Sequence, residues 1–239
     1  MSNVLIVESK NDRIFVQALI AHLNASINTV EEIKLDDTGE AIKIDEYEEL
    51  SGLNQNKLRE AVKRLLANAQ KKPIQKLGIL IDLDRFSETE RIHWLNDCLE
   101  PVFKVENLFA NVSEFVPIPI PNAPEISLAI TCYFTQANQQ GELETLLKHI
   151  KAQPSPYADC LEDWRNCLAE RDYDISDKEF DKFWIAQYLR YDTCSKKEQK
   201  QAERKCSMKA FDYIMKHKAE IWNFDHPVLT GIKQFLSRF

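Results

Sequence analysis

The sequence predicts an α/β fold: a mostly parallel sheet flanked by helices, followed by a helical C-terminal subdomain. Three observations carry this. The runs NVLIVE (3–8) and QKLGILIDLD (75–84) are continuously apolar before they end in acids, the pattern of strands buried on both faces. Stretches with apolar residues at helical spacing separate the strands. Beyond about residue 140 no β-rich stretch returns. The expected division is an α/β domain over 1–139 and a helical part over 140–239 packed on it.

The elements follow in order. After the first strand, KNDRIFVQALIAHLNA sets Ile14, Phe15, Ala18, Leu19 and Leu23 on one helical face, with Asn11 or Asp12 as its cap. TVEEIKL (29–35) alternates weakly and reads as a second strand, closed by a turn at Asp36, Asp37 and Gly39. NQNKLREAVKRLLANAQ (54–70) is a second helix whose stripe is Leu58, Ala61, Val62, Leu65 and Leu66. The strand of 75–84 comes next, then a helix over 87–100 that contains Trp94. EFVPIPI and ISLAITCYF (126–134) read as strands, with Pro117, Pro119, Pro121 and Pro124 bending the connection. The order is β-α-β-α-β-α-β-β. GELETLLKHI, SPYADCLEDWRNCLAE, SDKEFDKFWIAQYLRY, a long segment over 195–220 and HPVLTGIKQFLSRF then read as successive helices.

Composition narrows the functions. The chain has 239 residues, 44% hydrophobic and 29% charged, enough for a real core. Its five glycines, Gly39, Gly52, Gly78, Gly141 and Gly231, are too far apart to form G-x-G-x-x-G or G-x-x-x-x-G-K. The two commonest glycine-cradled phosphate sites are therefore excluded. No apolar run is long enough for a membrane span, and MSNVLIVESKNDRIF does not have the pattern of a signal peptide. Six cysteines without C-x-x-C pairs read as reduced thiols in a cytoplasmic protein, and the five scattered histidines disfavour structural zinc.

The net charge of −7 argues against a uniformly basic nucleic-acid binder, but the charge is uneven. Residues 31–49 hold nine acids and two lysines; 57–76 hold seven bases and one acid; 196–218 hold eight bases and three acids. The basic stretches read either as solvated helix faces or as faces flanking a cleft. In the second reading Lys63, Arg64 and Lys209 are the candidate nucleic-acid contacts.

The sharpest signal is acidic. Glu8 ends the first strand, and Asp82 and Asp84 end the strand of 75–84. Ligands of a parallel α/β sheet bind outside the carboxyl ends of its strands. An i, i+2 pair on a strand points to one face, so Asp82 and Asp84 are expected to project together. If the two strands are neighbours, Glu8 meets them at the same edge. Carboxylates converging there call for a hard divalent cation such as Mg²⁺.

VLIVESKNDRIF followed by LGILIDLD resembles the Toprim domain, the catalytic domain of topoisomerases, bacterial primases and overcoming-lysogenization-type nucleases. That family carries a glutamate after its first strand, usually within V-E-G-K-x-D, and Asp-x-Asp after its third. The resemblance implies that Glu8 acts as a general acid/base or metal partner, and that Asp82 and Asp84 bind Mg²⁺, with Mn²⁺ as the alternative. Ser9 departs from the usual glycine and Asn11 from a common acid.

A narrower resemblance spans nearly the whole chain. VESKND, LGILIDLD with Trp94, GELETLL, MKAFDYI and HPVLTGIKQFL follow the order of an uncharacterised bacterial family of Toprim-like proteins, domain of unknown function 3226. There a Gly-x-Leu-Glu opens the helical part, here Gly141, Leu143 and Glu144. Glu144 then reads either as a fourth acid for a second metal or as a first-turn acid favoured by the helix dipole. Lys10, next to Glu8 but one, is placed to offset charge on a phosphate.

Trp164, Phe180, Phe183, Trp184 and Tyr188 recur at helical intervals and read as core rather than as a base-stacking platform. The chain shows no ATPase motif, zinc module or tyrosine-bearing cleavage domain, so topoisomerase and primase are not expected. The expected function is Mg²⁺-dependent phosphodiester cleavage of DNA or RNA. By analogy it acts alone or beside a separate ATPase partner in phage defence. The alternative is a non-catalytic binding or regulatory protein on the same scaffold. A homodimer through an apolar patch of the helical part stays open.

Overall fold

The computed structural model describes residues 2–27, 41–69, 71–120 and 123–239. The chain divides into two compact units, Met1–Thr135 with Thr230–Phe239, and Gln136–Leu229. The first unit runs β1 (Ser2–Val7), α1 (Lys10–Ile27), β2 (Glu46–Glu49), α2 (Gln55–Asn68), β3 (Ile74–Asp82), α3 (Glu88–Phe103), β4 (Val116–Ile120) and β5 (Ala123–Thr135). The second holds α4 (Leu143–His149), α5 (Pro156–Ala169), α6 (Asp177–Gln187), α7 (Lys196–Gln199), α8 (Ala202–Lys205) and α9 (Phe211–His217). The chain then returns to the first unit with α10 (Thr230–Ser237).

Among the described residues, five strands form one sheet in the order β2-β1-β3-β5-β4. All neighbours are parallel except β4, which runs antiparallel to β5. The mostly parallel α/β class is as the sequence predicts. Val4 to Val7 and Leu77 with Ile79 to Ile81 are buried, which is why these runs are apolar without alternation. Their register, Ile6 opposite Ile79 and Val7 opposite Leu80, makes β1 and β3 direct neighbours. Pro117 and Pro119 sit on the edge strand β4, where a missing ladder donor is tolerated.

In this unit one local expectation lies outside the described residues and one changes. TVEEIKL lies outside the described residues; the strand beside β1 is Glu46–Glu49, inside the acidic stretch. Its glutamates are neutralised by bases: Glu46 pairs with Lys72, Glu48 with Arg64 and Glu49 with Arg13. The cap of α1 is Ser9 rather than Asn11 or Asp12. Its Oγ accepts from the N–H groups of Asn11 (3.2 Å) and Asp12 (3.4 Å), while its own N–H and hydroxyl donate to Asp12 Oδ2 at 2.9 and 2.7 Å. The reciprocal bonds start the helix two to three residues earlier.

α10 packs on the sheet through its aromatic face. Phe235 stacks on Tyr133 of β5 with centroids 5.3 Å apart. A Cβ at Gly78 would lie 2.5 Å from Phe239 and 2.7 Å from Leu5, so only glycine lets the chain end settle against β3.

In the second unit, Phe180, Trp184 and Tyr188 are core, as expected. Trp184 stacks on Tyr188, whose hydroxyl donates to Ile221 O at 2.8 Å. The expectation fails for Trp164 and Phe183. These are 37% and 51% exposed and stack on each other at the surface. The segment 195–220 is not one long helix but α7, α8, a 3-10 turn over Met208–Ala210, α9 and a 3-10 turn over Ala219–Ile221. The reading of all six cysteines as reduced thiols is overturned at one pair. Cys194 and Cys206 form a disulfide, with Cα atoms 6.2 Å apart, because α7 and α8 fold the chain back on itself. Cys98, Cys132, Cys160 and Cys167 are free thiols.

Candidate metal centre

Glu8 follows β1 directly and Asp82 is the last residue of β3. Because β1 and β3 are parallel neighbours in register, both acids stand at the carboxyl edge of the sheet. The Asp82 N–H donates to Glu8 Oε2 at 3.4 Å, so the two strand ends are in direct contact. Asp82 is buried, while Glu8 and Asp84 are half-buried.

Asp84 arrives by a different route from the one the alternation rule gives. β3 stops at Asp82, Leu83 turns into the core, and Asp84 has φ +55°, the left-handed region. Asp residues enter that region more readily than most. The turn still brings the pair together: one carboxylate oxygen of Asp82 and one of Asp84 lie within 4.8 Å of each other. The convergence therefore depends on a turn, not on strand pleat.

Arg91, on α3, had no signal in the sequence as a site residue. It is 4% exposed, rare for an arginine without a partner. Its Nε donates to Asp82 O at 3.0 Å and its Nη2 to Asp84 Oδ2 at 2.5 Å. The guanidinium lies 4.7 Å from the Phe86 ring and 5.5 Å from that of Trp94. A capping box between Ser87 and Glu90 fixes the start of α3, and so the turn that delivers Arg91 to the strand end. Asp12, buried beneath Ser9, is a second residue outside the candidate set; the S-x-x-D spacing is its signal.

The donor set fits a hard divalent cation. Asp82 and Asp84 offer oxygen ligands only, the chemistry of Mg²⁺ and Mn²⁺. Ser9 is not among the positive-φ residues, so its backbone does not need a glycine. Lys10 opens α1 and is exposed, two residues from Glu8. Lys63 and Arg64 are exposed on α2, and each pairs with an acid, Glu60 and Glu48. Such exposed pairs are weak and exchange readily.

In the second unit, Glu144 lies half-buried in the first turn of α4. Burial, then the neighbouring Glu142, push its carboxyl above the usual range. Glu142 is 3% exposed and pairs with Lys178 at 2.7 Å and Lys182 at 3.5 Å. Glu142 carries no distinct signal in the sequence, because a glutamate directly before an apolar helix looks like an ordinary cap. Lys209 is exposed and lies 3.5 Å from Glu203.

No curated protein matches the chain. A protein-family model described as a protein of unknown function, DUF3226, matches residues 2–239. The match takes in both units, the strand-end acids and α10 together, and the chain accordingly belongs to the DUF3226 family.

Proposed function

We propose that the protein is a Toprim-type, Mg²⁺-dependent enzyme that cleaves phosphodiester bonds in DNA or RNA. The observation that carries this is the meeting of Glu8 and Asp82 at the carboxyl ends of two adjacent parallel strands, with a carboxylate oxygen of Asp84 within 4.8 Å of one of Asp82. In this reading Asp82 and Asp84 hold the cation, with Mn²⁺ as a substitute. A bound divalent cation would offset phosphate charge and lower the pKa of water. Glu8 moves the proton between the attacking water and the leaving oxygen. Lys10 offsets charge on the phosphate from the start of α1, and exposed Lys63, Arg64 and Lys209 supply weak contacts to the nucleic-acid backbone. A role in phage defence beside a separate ATPase is proposed by analogy alone.

The Arg91–Asp84 ion pair favours a second reading, in which the acids are structural and the protein binds or regulates without catalysis. One experiment separates them. Purified protein is incubated with plasmid, single-stranded DNA and tRNA in Mg²⁺ or Mn²⁺, beside Glu8→Gln and Asp82→Asn. Cleavage that both substitutions abolish supports the enzyme. Cleavage that neither affects removes the site assignment. No cleavage and no cation binding by calorimetry favours the second reading.

A further inference from the structure

We infer that Arg91 is the positioning residue that sets how Asp82 and Asp84 present oxygens to a divalent cation, an inference that rests on reading those acids as the cation site. Asp84 lies just beyond β3, with φ +55°. Arg91 reaches it from α3. One planar guanidinium donates from Nε to the Asp82 carbonyl (3.0 Å) and from Nη2 to Asp84 Oδ2 (2.5 Å). It thereby ties the backbone of the first acid to the side chain of the second. Its own position is set by burial and by the rings of Phe86 and Trp94 on its faces. A lysine cannot reproduce a fork, because its ammonium is a single point charge.

Arg91 exerts two opposite influences on a cation. Its permanent charge repels one, and its geometry orients the ligands that hold one. The buried two-point clamp argues that orientation outweighs repulsion. Outer-shell partners of metal ligands typically change metal affinity by roughly 10–100-fold.

The test is Mn²⁺ affinity by electron paramagnetic resonance, with no substrate present. Arg91→Lys keeps the charge and loses the fork; Arg91→Met loses both. Both are expected to weaken Mn²⁺ binding by about tenfold or more. Phe86→Leu, at a partly exposed ring, keeps every charge and loosens the guanidinium. It is expected to weaken binding about two- to threefold, a fraction of the outer-shell effect. Circular dichroism melts confirm that each variant is folded. Should Arg91→Met fail to fold, Arg91→Lys and Phe86→Leu decide. Unchanged or tighter Mn²⁺ binding in the folded Arg91 variants would overturn the inference. Absence of binding in the wild type would instead remove the cation site itself, and the inference with it.

Discussion

The backbone N–H of Asp82 points at Glu8 Oε2 across 3.4 Å, joining the ends of two parallel strands that are 74 residues apart in sequence. A carboxylate held by a neighbouring strand end is already oriented before any ligand arrives. Asp82→Asn is expected to lower Mn²⁺ affinity more than Glu8→Gln does. Glu8→Gln should mainly slow turnover, by on the order of 10²-fold or more, as loss of a general acid/base does. Calorimetry with Mn²⁺ and a cleavage assay, run on the same preparations, check the split.

Ser9 provides a second test. Because it caps α1 and has no positive φ, Ser9→Ala should cost about 1 kcal/mol of stability, and Ser9→Gly only a few tenths. Ser9→Gly introduces the residue usual in Toprim sequences and should bring no gain in cleavage. Chemical denaturation and the same cleavage assay measure both.

The attachment of α10 depends on a close approach. A Cβ at Gly231 would lie 2.3 Å from the Tyr133 hydroxyl, and Tyr133 cannot swing away while stacked on Phe235. Gly231→Ala should destabilise by about 1–3 kcal/mol. Tyr133→Phe removes the clashing oxygen, so the double variant should recover part of the loss in a thermodynamic cycle.

The Cys194–Cys206 disulfide closes a segment 12 residues long whose two short helices bury no side chain. A covalent link therefore replaces packing there. Cys206→Ser should destabilise the second unit by about 3 kcal/mol on the loop-entropy estimate. Reductant should lower the melting temperature of the wild type and leave the variant unchanged.

Glu144 gives a pH signature. Burial raises its folded pKa above the unfolded value, so the stability it contributes is present at low pH and lost as pH rises through the folded pKa. Glu144→Gln is expected to melt higher than wild type at neutral pH. The difference should vanish towards about pH 4, where the unfolded carboxyl is protonated too. Melts across that range decide it.

Much of the first unit was legible because its signals are local. Continuous apolar runs can only be buried on both faces, so β1 and β3 stand out, and the Leu58, Ala61 and Val62 stripe marks α2. β2 was not legible: a strand carrying three glutamates becomes one by pairing with β1 and by neutralisation from Arg13, Arg64 and Lys72. The exposure of Trp164 and Phe183 was hidden for a similar reason, since helical spacing does not say which face meets a neighbour.

The amino-acid sequence by itself determined the α/β class, the strands β1 and β3 and the acids at their ends, because each follows from a short stretch of chain. Only the tertiary structure decided that Glu8 touches Asp82, that Asp84 turns in through a left-handed residue, and that Arg91 clamps the pair. It also decided that Cys194 meets Cys206 and that α10 joins the sheet. These depend on which distant residues packing brings within a few ångströms, and no local pattern in the sequence encodes that distance.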